Sequence, residues 1–299
     1  MTQTIVSLDR SHIAGCMRLK EAAGWNQTER DWERLIDLEP EGCFGLIADG
    51  TLAATTTAYC YGRRLAWIGM VLTDPAFRGR GYARRLMEHA IGWLDRRGVE
   101  WTRLDATDMG RPLYLKLGFE DEGPIERWAV ATAHRAAETE HRAASTEHRA
   151  AQTEHRAARV SKRTAPFSVE EWLALDSESF GADRARLLES LASEEAAAIP
   201  GLGFAMGRPG SKAAFFGPCA CRSTEAARTL LQWFLGRHPG ETVFWDLLPA
   251  NREALNLALE FSFERRRELV RMVRRGPAAS GSLDCNDAFT FAIAGFEYG

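Results

Sequence analysis

Hydrophobic and polar positions in the first 120 residues follow helical spacing in some stretches and strand alternation in others. Thr28 and Asp31 open a predicted helix over 28–38, and an earlier helix is predicted to begin at Asp9 or Ser11. Further helices are predicted over 81–97 and 112–117, and strands over 43–48, 52–61, 66–73 and 101–106. This order of helices, antiparallel strands and a strand–helix–strand unit predicts an α+β domain.

The region 161–299 shows the same order of elements with mostly different residues. Helices are predicted over 183–194, 224–235 and 251–261, and strands over 203–208, 213–220, 242–248, 263–274 and 288–296. The chain of 299 residues therefore contains two α+β domains, which we place at 1–129 and 161–299.

Four near-identical heptads separate these regions, and each contains one histidine, at His134, His141, His148 and His155. Neighbouring histidines on a helix would lie about 10 Å apart along its axis, too far to share one zinc ion. We therefore interpret 130–160 as a linker between the domains and expect no metal site there.

Bulk composition narrows the class of protein. The net charge of -3 argues against binding to nucleic acid or to a membrane surface, and no stretch reaches the roughly 20 apolar residues of a membrane span. The N-terminus does not resemble a signal peptide, so we expect a cytoplasmic protein with reduced cysteines. Cys219 and Cys221 are interpreted as small residues on one face of a strand rather than as metal ligands.

The segment 71–84 is the most informative part of the chain. A buried strand ends there, Gly79 and Gly81 flank one residue, and an amphipathic helix follows. Glycines let backbone N–H groups converge, and the helix N-terminus carries a partial positive charge of about 0.5 e. Nearby arginines add formal positive charge. The segment therefore predicts a pyrophosphate site, with a helix-capping loop in another α/β fold as the alternative.

Arg78-Gly79-Arg80-Gly81-Tyr82-Ala83 resembles motif A of the GNAT superfamily of N-acetyltransferases. This resemblance implies two tandem GNAT-like domains, each a mixed, mostly antiparallel twisted sheet flanked by helices. It also implies acetyl-CoA as co-substrate without a metal. Pantetheine contacts are then expected at Val71, Leu72 and Thr73, and pyrophosphate contacts at Arg78, Gly79, Arg80, Gly81, Tyr82, Ala83 and Arg84.

The segment 113–119, Leu-Tyr-Leu-Lys-Leu-Gly-Phe, resembles a second GNAT motif. In that family the matching tyrosine often protonates the departing CoA thiolate, which makes Tyr114 the candidate general acid. Its alternative role is packing alone. Many relatives carry a glutamate base on the strand before motif A, but 66–72 contains no carboxylate, so Asp105 is the candidate base. Asp105 is an equally good candidate for fixing a loop.

The resemblance to a tandem GNAT subgroup covers nearly all of the chain outside the heptads. Trp25 and Asn26 fall between the first two helices, where the family borders its acceptor, although Trp25 alternatively packs in the core. Asp246 is a further candidate for the acceptor pocket. The second region lacks the G-x-G pattern and carries Glu225 in its place, so we expect it to bind no acetyl-CoA.

The predicted function is transfer of an acetyl group from acetyl-CoA to a primary amine of a small molecule by direct attack. The absence of a carboxylate from 66–72 leaves an alternative, a non-catalytic sensor or scaffold that binds acyl-CoA. These two functions differ in whether bound acetyl-CoA is turned over when amines are supplied.

Overall fold

The computed structural model describes residues 3–132 and 170–299, which divide into two compact units. The first unit contains the described residues of Met1–Pro124 together with Leu269–Asp284 and Gly295–Gly299. The second contains those of Ile125–Glu268 together with Cys285–Ala294. The domain boundaries predicted at 129 and 161 did not anticipate that two late segments of the chain belong to the first unit. The heptad positions 133–159, with their four histidines, lie outside the described residues.

Helices and strands alternate along both described stretches. The first stretch contains β1 (Gln3–Ser7), α1 (Ile13–Ala23), α2 (Glu29–Leu38), β2 (Cys43–Ala48), β3 (Thr51–Tyr61), β4 (Leu65–Thr73), α3 (Tyr82–Arg96), β5 (Trp101–Ala106), α4 (Arg111–Lys116) and β6 (Glu120–Ala131). The second contains α5 (Glu170–Phe180), α6 (Ala185–Ala192), β7 (Glu195–Ile199), β8 (Gly203–Arg208), β9 (Ala214–Cys221), α7 (Thr224–Arg237), β10 (Thr242–Leu247), α8 (Arg252–Glu260), β11 (Glu264–Arg275) and β12 (Thr290–Ala292).

The first unit has a mixed sheet in the order β1-β2-β3-β4-β5-β11, to which β11 contributes its second half. The pair β4–β5 is parallel and the other neighbours are antiparallel. Alternation along β4 sends Ala66 and Ile68 into the core that packs against α3, because successive side chains point to opposite faces. Trp67 and Gly69 therefore face the other side of the sheet.

The second unit has its own mixed sheet in the order β6-β10-β9-β8-β7, with β12 paired to β9. The pair β9–β10 is parallel and the other pairs are antiparallel. Its core lies between this sheet and the helices α7 and α8. Two mixed, mostly antiparallel sheets flanked by helices confirm the predicted fold class.

The predicted helix over 28–38 is confirmed, and Thr28 and Asp31 form a capping box at its start. The strands β1, β6 and β7 and the helix α5 were not predicted. The predicted strand over 288–296 is confirmed only over Thr290–Ala292. Asn286 caps a 3-10 turn there, β12 has only three residues, and a positive φ of 135° at Gly295 turns the chain. No helix in the two described stretches is long and apolar enough to cross a membrane.

Candidate functional site

The predicted cofactor loop connects β4 to α3 in the first unit. Asp74 caps a 3-10 turn by accepting a hydrogen bond from the Ala76 N–H, and it forms an ion pair with Arg18. These two interactions lower the pKa of Asp74. The carboxylate therefore stays charged and fixes the start of the loop.

Gly79 and Gly81 both adopt left-handed backbone with φ of +75°. A Cβ atom built on either residue would have nothing within 4 Å, so open space surrounds both glycines. Gly81 occupies the cap position of α3 and has no side chain to accept from the first-turn N–H groups. The N-terminus of this 15-residue helix is therefore free of a capping side chain and open to an anion.

The arginines of the loop are exposed, as a phosphate site requires. Arg78, Arg80 and Arg84 all face solvent. Arg80 lies over the Phe77 ring at 5.0 Å and donates to the Ala76 carbonyl at 3.3 Å. These arginines surround the α3 N-terminus with positive charge.

Tyr82 stands apart from the other predicted cofactor residues. Its side chain is buried, and its hydroxyl accepts a hydrogen bond from Gln3 Nε2 at 3.0 Å. The ring belongs to the core of the first unit, so only the backbone of Tyr82 is directed to the loop. Ala83 follows it in the first helical turn, where it likewise offers a backbone N–H.

The strands β4 and β5 pair only at their beginnings. Their parallel ladder covers Leu65–Trp67 of β4, although β4 continues to Thr73. On the other edge of β4, the register with β3 shifts between Thr55 and Thr57, which is a β-bulge in β4 where Met70 and Val71 lie opposite Thr56. Met70 has a φ of +49°, and its carbonyl accepts a hydrogen bond from Thr55 Oγ1 at 2.8 Å. The bulge turns backbone groups near Met70 and Val71 away from the regular ladder, beside the opening between the two strands.

Tyr114 lies on α4 and is buried in the core of the first unit. A Cβ on Gly110 would come within 3.1 Å of its hydroxyl oxygen, so the glycine leaves room for the phenol. Burial raises the pKa of Tyr114 well above its usual value. The phenol therefore keeps its proton over the neutral range.

Asp105, the other predicted catalytic residue, is bound by an arginine. The Arg271 side chain donates from Nε and Nη2 to the two carboxylate oxygens, at 3.0 and 3.2 Å. Both side chains are buried, and Arg271 comes from β11, which pairs with β5 at this register. A carboxylate held in this way, between two strands rather than on a loop, fits a structural role better than that of a base, because the guanidinium stabilises its charged form.

The predicted acceptor residues lie on the loop between α1 and α2. Trp25 is half-buried and Asn26 is buried. The neighbouring Gln27, which we did not predict, is also buried and donates to Glu297 at 2.7 Å. Glu297 could not be connected with this loop from the sequence, because 270 positions separate the two residues.

In the second unit, the N-terminus of the equivalent helix, α7, is already capped by a side chain. Ser223 caps α7 by accepting from the Ala226 N–H, and Glu225 lies in the first turn. Cys219 and Cys221 are buried on β9, which confirms their interpretation as strand residues. Asp246, the further candidate for the acceptor pocket, forms a buried, two-bond ion pair with Arg127, at 2.7 and 2.6 Å.

Both halves of the chain match known acetyltransferases. Residues 12–119 match a model of the acetyltransferase (GNAT) family, and residues 172–283 match a model of an acetyltransferase (GNAT) domain. YitH of Bacillus subtilis, an uncharacterized N-acetyltransferase, is 29% identical over 127 residues. These residues are 42% of this chain and 43% of YitH, so the match spans less than half of that relative.

The fold is shared with solved structures of other proteins. A protein of Pyrococcus horikoshii proposed to be an acetyltransferase has a TM-score of 0.79 at 18% identity, covering 99% of this chain and 96% of its own. A GCN5-related N-acetyltransferase of Sphaerobacter thermophilus has a TM-score of 0.59 at 15% identity, covering 93% and 98%. The two family matches, the YitH match and the observed folds agree with the motifs, and the chain belongs to the GNAT superfamily of N-acetyltransferases, with two GNAT regions in tandem.

Proposed function

We propose that the first unit transfers an acetyl group from acetyl-CoA to a primary amine of a small molecule. The observation that carries this proposal is the α3 N-terminus, where Gly79 and Gly81 leave open space next to an uncapped helix end. It lies directly after a strand that has separated from its parallel neighbour. A pyrophosphate suits the first feature, and an extended arm suits the second.

The residues present fit acetyl-CoA. The backbone N–H groups of residues 79–84 would hold the pyrophosphate, and Arg78, Arg80 and Arg84 would add charge. Val71, Leu72 and Thr73 lie on the part of β4 that pairs with β3 but no longer with β5, and they would contact the pantetheine arm. When bound, acetyl-CoA supplies an activated thioester.

Two groups of the first unit serve the transfer itself. A backbone N–H at the bulge near Met70 or Val71 would donate a hydrogen bond to the developing oxyanion. The buried phenol of Tyr114 would give its proton to the leaving sulfur. Asp105 holds Arg271 on the sheet and acts through structure rather than as the base.

A small acceptor suits the loop between α1 and α2. Asn26 and Gln27 are only 6% and 7% exposed, so a flat protein surface could not reach them. The half-buried Trp25 would cover the apolar part of such an acceptor.

Calorimetric titration with acetyl-CoA tests the proposal, with the Gly81→Glu variant as the key comparison. We expect binding in the wild type and none in Gly81→Glu, because a carboxylate would enter the anion site. Gly62→Glu is the matched control, since Gly62 also has a positive φ, of 63°, with open space around it. It lies in the turn between β3 and β4, at the opposite end of β4 from the loop, and it should bind normally.

A screen of primary amines for CoA release then tests turnover. Release with at least one amine supports the transferase. Binding without any release would favour the sensor, and no binding in the wild type would overturn the cofactor site.

A further inference from the structure

The hydroxyl of Thr55 holds one peptide group at the bulge of β4. Thr55 lies on β3 and is completely buried. Its Oγ1 donates a hydrogen bond of 2.8 Å to the Met70 carbonyl, which is the usual length for a hydroxyl donor. This bond joins a side chain of β3 to the backbone of β4 at the point where the regular ladder is interrupted.

The two ladders of β4 leave the bulge itself unpaired in register. The ladder with β3 includes Gly69 and then resumes at Leu72, and the ladder with β5 ends at Trp67. In the described part of the chain, neither ladder therefore gives Met70 or Val71 a register partner. Regular strand pairing does not set the direction of the peptide group between these two residues.

The backbone of Met70 is held in an unfavourable conformation. Its φ of +49° lies in the left-handed region, which residues with a Cβ atom seldom adopt. Such a conformation persists only where the surrounding structure holds it. The Thr55 hydroxyl binds the carbonyl of this residue and so contributes to holding it.

The same hydrogen bond sets the direction of the next N–H. The peptide between Met70 and Val71 is trans, so its C=O and N–H point in opposite directions. The carbonyl is bound by Thr55 on β3, whereas β5 lies on the other edge of β4. The Val71 N–H is therefore directed away from β3, toward the edge where β5 no longer pairs.

We propose that Thr55 is a positioning residue, whose hydroxyl directs the Val71 N–H at the carbonyl oxygen of the bound thioester. This inference rests on the proposed function, and it assigns the backbone donor of the bulge to Val71. A donor that already points to where negative charge develops needs no reorganisation during the reaction, and this lowers the barrier. Without the hydroxyl, the peptide group would be free to rotate and the donor would be out of line.

Thr57 provides the matched control for Thr55. It lies two residues further along β3, on the same face of the strand, and it is 1% exposed. Its Oγ1 has no hydrogen-bond partner among residues 3–132 and 170–299. Thr57→Val therefore removes an equally buried hydroxyl that holds no peptide group.

The kinetic test uses an amine identified by the CoA-release screen. Thr55→Val should lower kcat and kcat/KM by about 10–100-fold, since a small misplacement of a group that acts in the transition state costs up to about 10²-fold. Thr55→Ser retains the hydroxyl and should keep most of the wild-type rate, and Thr57→Val should keep it as well. Thr55→Ser and Thr55→Ala form a second pair that differs in the hydroxyl alone, which replaces the first comparison if Thr55→Val does not fold.

Binding and the vibrational spectrum of bound acetyl-CoA give readouts that do not depend on turnover. CoA lacks the thioester carbonyl, so its Kd should be the same in the wild type, Thr55→Val and Thr57→Val. A hydrogen bond weakens a C=O bond and lowers its stretching frequency. Infrared difference spectra with acetyl-CoA isotope-labelled at the carbonyl should show a lowered frequency in the wild type and in Thr55→Ser, and a frequency nearer that of free acetyl-CoA in Thr55→Val.

An unchanged carbonyl frequency in Thr55→Val would overturn the positioning role, with or without a loss of kcat. Equal losses in Thr55→Val and Thr57→Val, or in Thr55→Ser and Thr55→Ala, would do the same and leave the transferase intact. If the wild type binds acetyl-CoA but transfers to no amine, the proposed function fails, and the carbonyl frequency still decides whether Thr55 holds the donor. A wild type that binds no acetyl-CoA would overturn both.

Discussion

Arg271 donates hydrogen bonds from Nε and Nη2 to the two carboxylate oxygens of Asp105, at 3.0 and 3.2 Å. Its guanidinium also lies over the Trp67 ring, 4.7 Å from the centroid. Trp67 in turn donates to the Phe296 carbonyl, next to Glu297. The ion pair therefore fixes the tryptophan that holds the backbone of residue 296.

We predict that Arg271→Met lowers the free energy of unfolding by about 3–5 kcal/mol, because Asp105 would stay buried without its ion-pair partner. The double variant Arg271→Met/Asp105→Leu should recover most of this loss, since two apolar side chains need no compensation. Denaturation by urea, followed by tryptophan fluorescence, measures both.

The Asp105→Asn variant distinguishes the two roles considered for Asp105. If Asp105 has a structural role, the variant should keep kcat within about tenfold of the wild type. If Asp105 is the general base, the variant should lower kcat by about 10²–10⁴-fold. A loss in the larger range with unchanged stability would restore Asp105 as the base.

The geometry of the loop between β4 and α3 was predictable from the sequence because the residues that determine it are local. Two glycines, the strand before them and the helix after them lie within about 20 positions, and the observed α3 begins within one residue of the prediction. The capping box at Thr28 was equally local.

The contacts of Gln27 and Asp105 were not predictable, because they join residues far apart in the chain. Glu297 reaches Gln27 across 270 positions, and Arg271 reaches Asp105 across 166. Nothing in the local pattern around Glu297 marks it, and the apolar residues before it predicted a strand over 288–296 of which only Thr290–Ala292 forms. That Leu269–Asp284 and Gly295–Gly299 belong to the first unit follows from the tertiary fold and not from any local sequence pattern.

Arg84 lies in the first turn of α3 with its side chain exposed. We predict that Arg84→Ala raises the Kd for acetyl-CoA about fivefold at low salt, which is about 1 kcal/mol. The ratio of the Kd of Arg84→Ala to that of the wild type should fall in 0.5 M NaCl, because the Debye length is then about 4 Å. Calorimetry at two salt concentrations measures this effect.

Arg96→Ala is the control for the Arg84 experiment. It removes the same exposed charge from the last turn of the same helix, far from the loop. Equal effects of the two variants would mean that overall charge, and not a local phosphate contact, governs binding.

Tyr114→Phe should lower kcat by about 10²-fold or more while leaving acetyl-CoA affinity unchanged. Burial raises the pKa of Tyr114, so deprotonation moves to higher pH and the active, protonated phenol persists. The wild-type kcat should therefore not decline through Tyr114 as the pH rises from 7 to about 10. Steady-state rates over this range check both statements.

The free energy of unfolding of Tyr114→Phe shows whether the variant loses activity because its packing has changed. The ring keeps its place beside Phe119 and Gly110, so unfolding should change by no more than about 1 kcal/mol. A folded variant with unchanged kcat would show that Tyr114 only packs.

The second unit should bind no acetyl-CoA, because its equivalent helix start is already satisfied. Ser223 accepts from the Ala226 N–H, and Glu225 places a negative charge in the first turn, where it pairs with Arg228. A phosphate there would displace the serine cap and meet a carboxylate. We expect a calorimetric stoichiometry of one per chain.

Ser223→Ala isolates the role of that cap. It should destabilise the protein by about 1 kcal/mol, the usual cost of losing an N-cap, and leave the Kd and stoichiometry for acetyl-CoA unchanged. A stoichiometry of two in the wild type, or one site remaining in Gly81→Glu, would place a cofactor in the second unit. The first-turn N–H groups of a helix can bind either a capping side chain or an anion. In this chain Ser223 caps α7, whereas Gly81 leaves the start of α3 without a capping side chain, so we expect the anion at α3 alone.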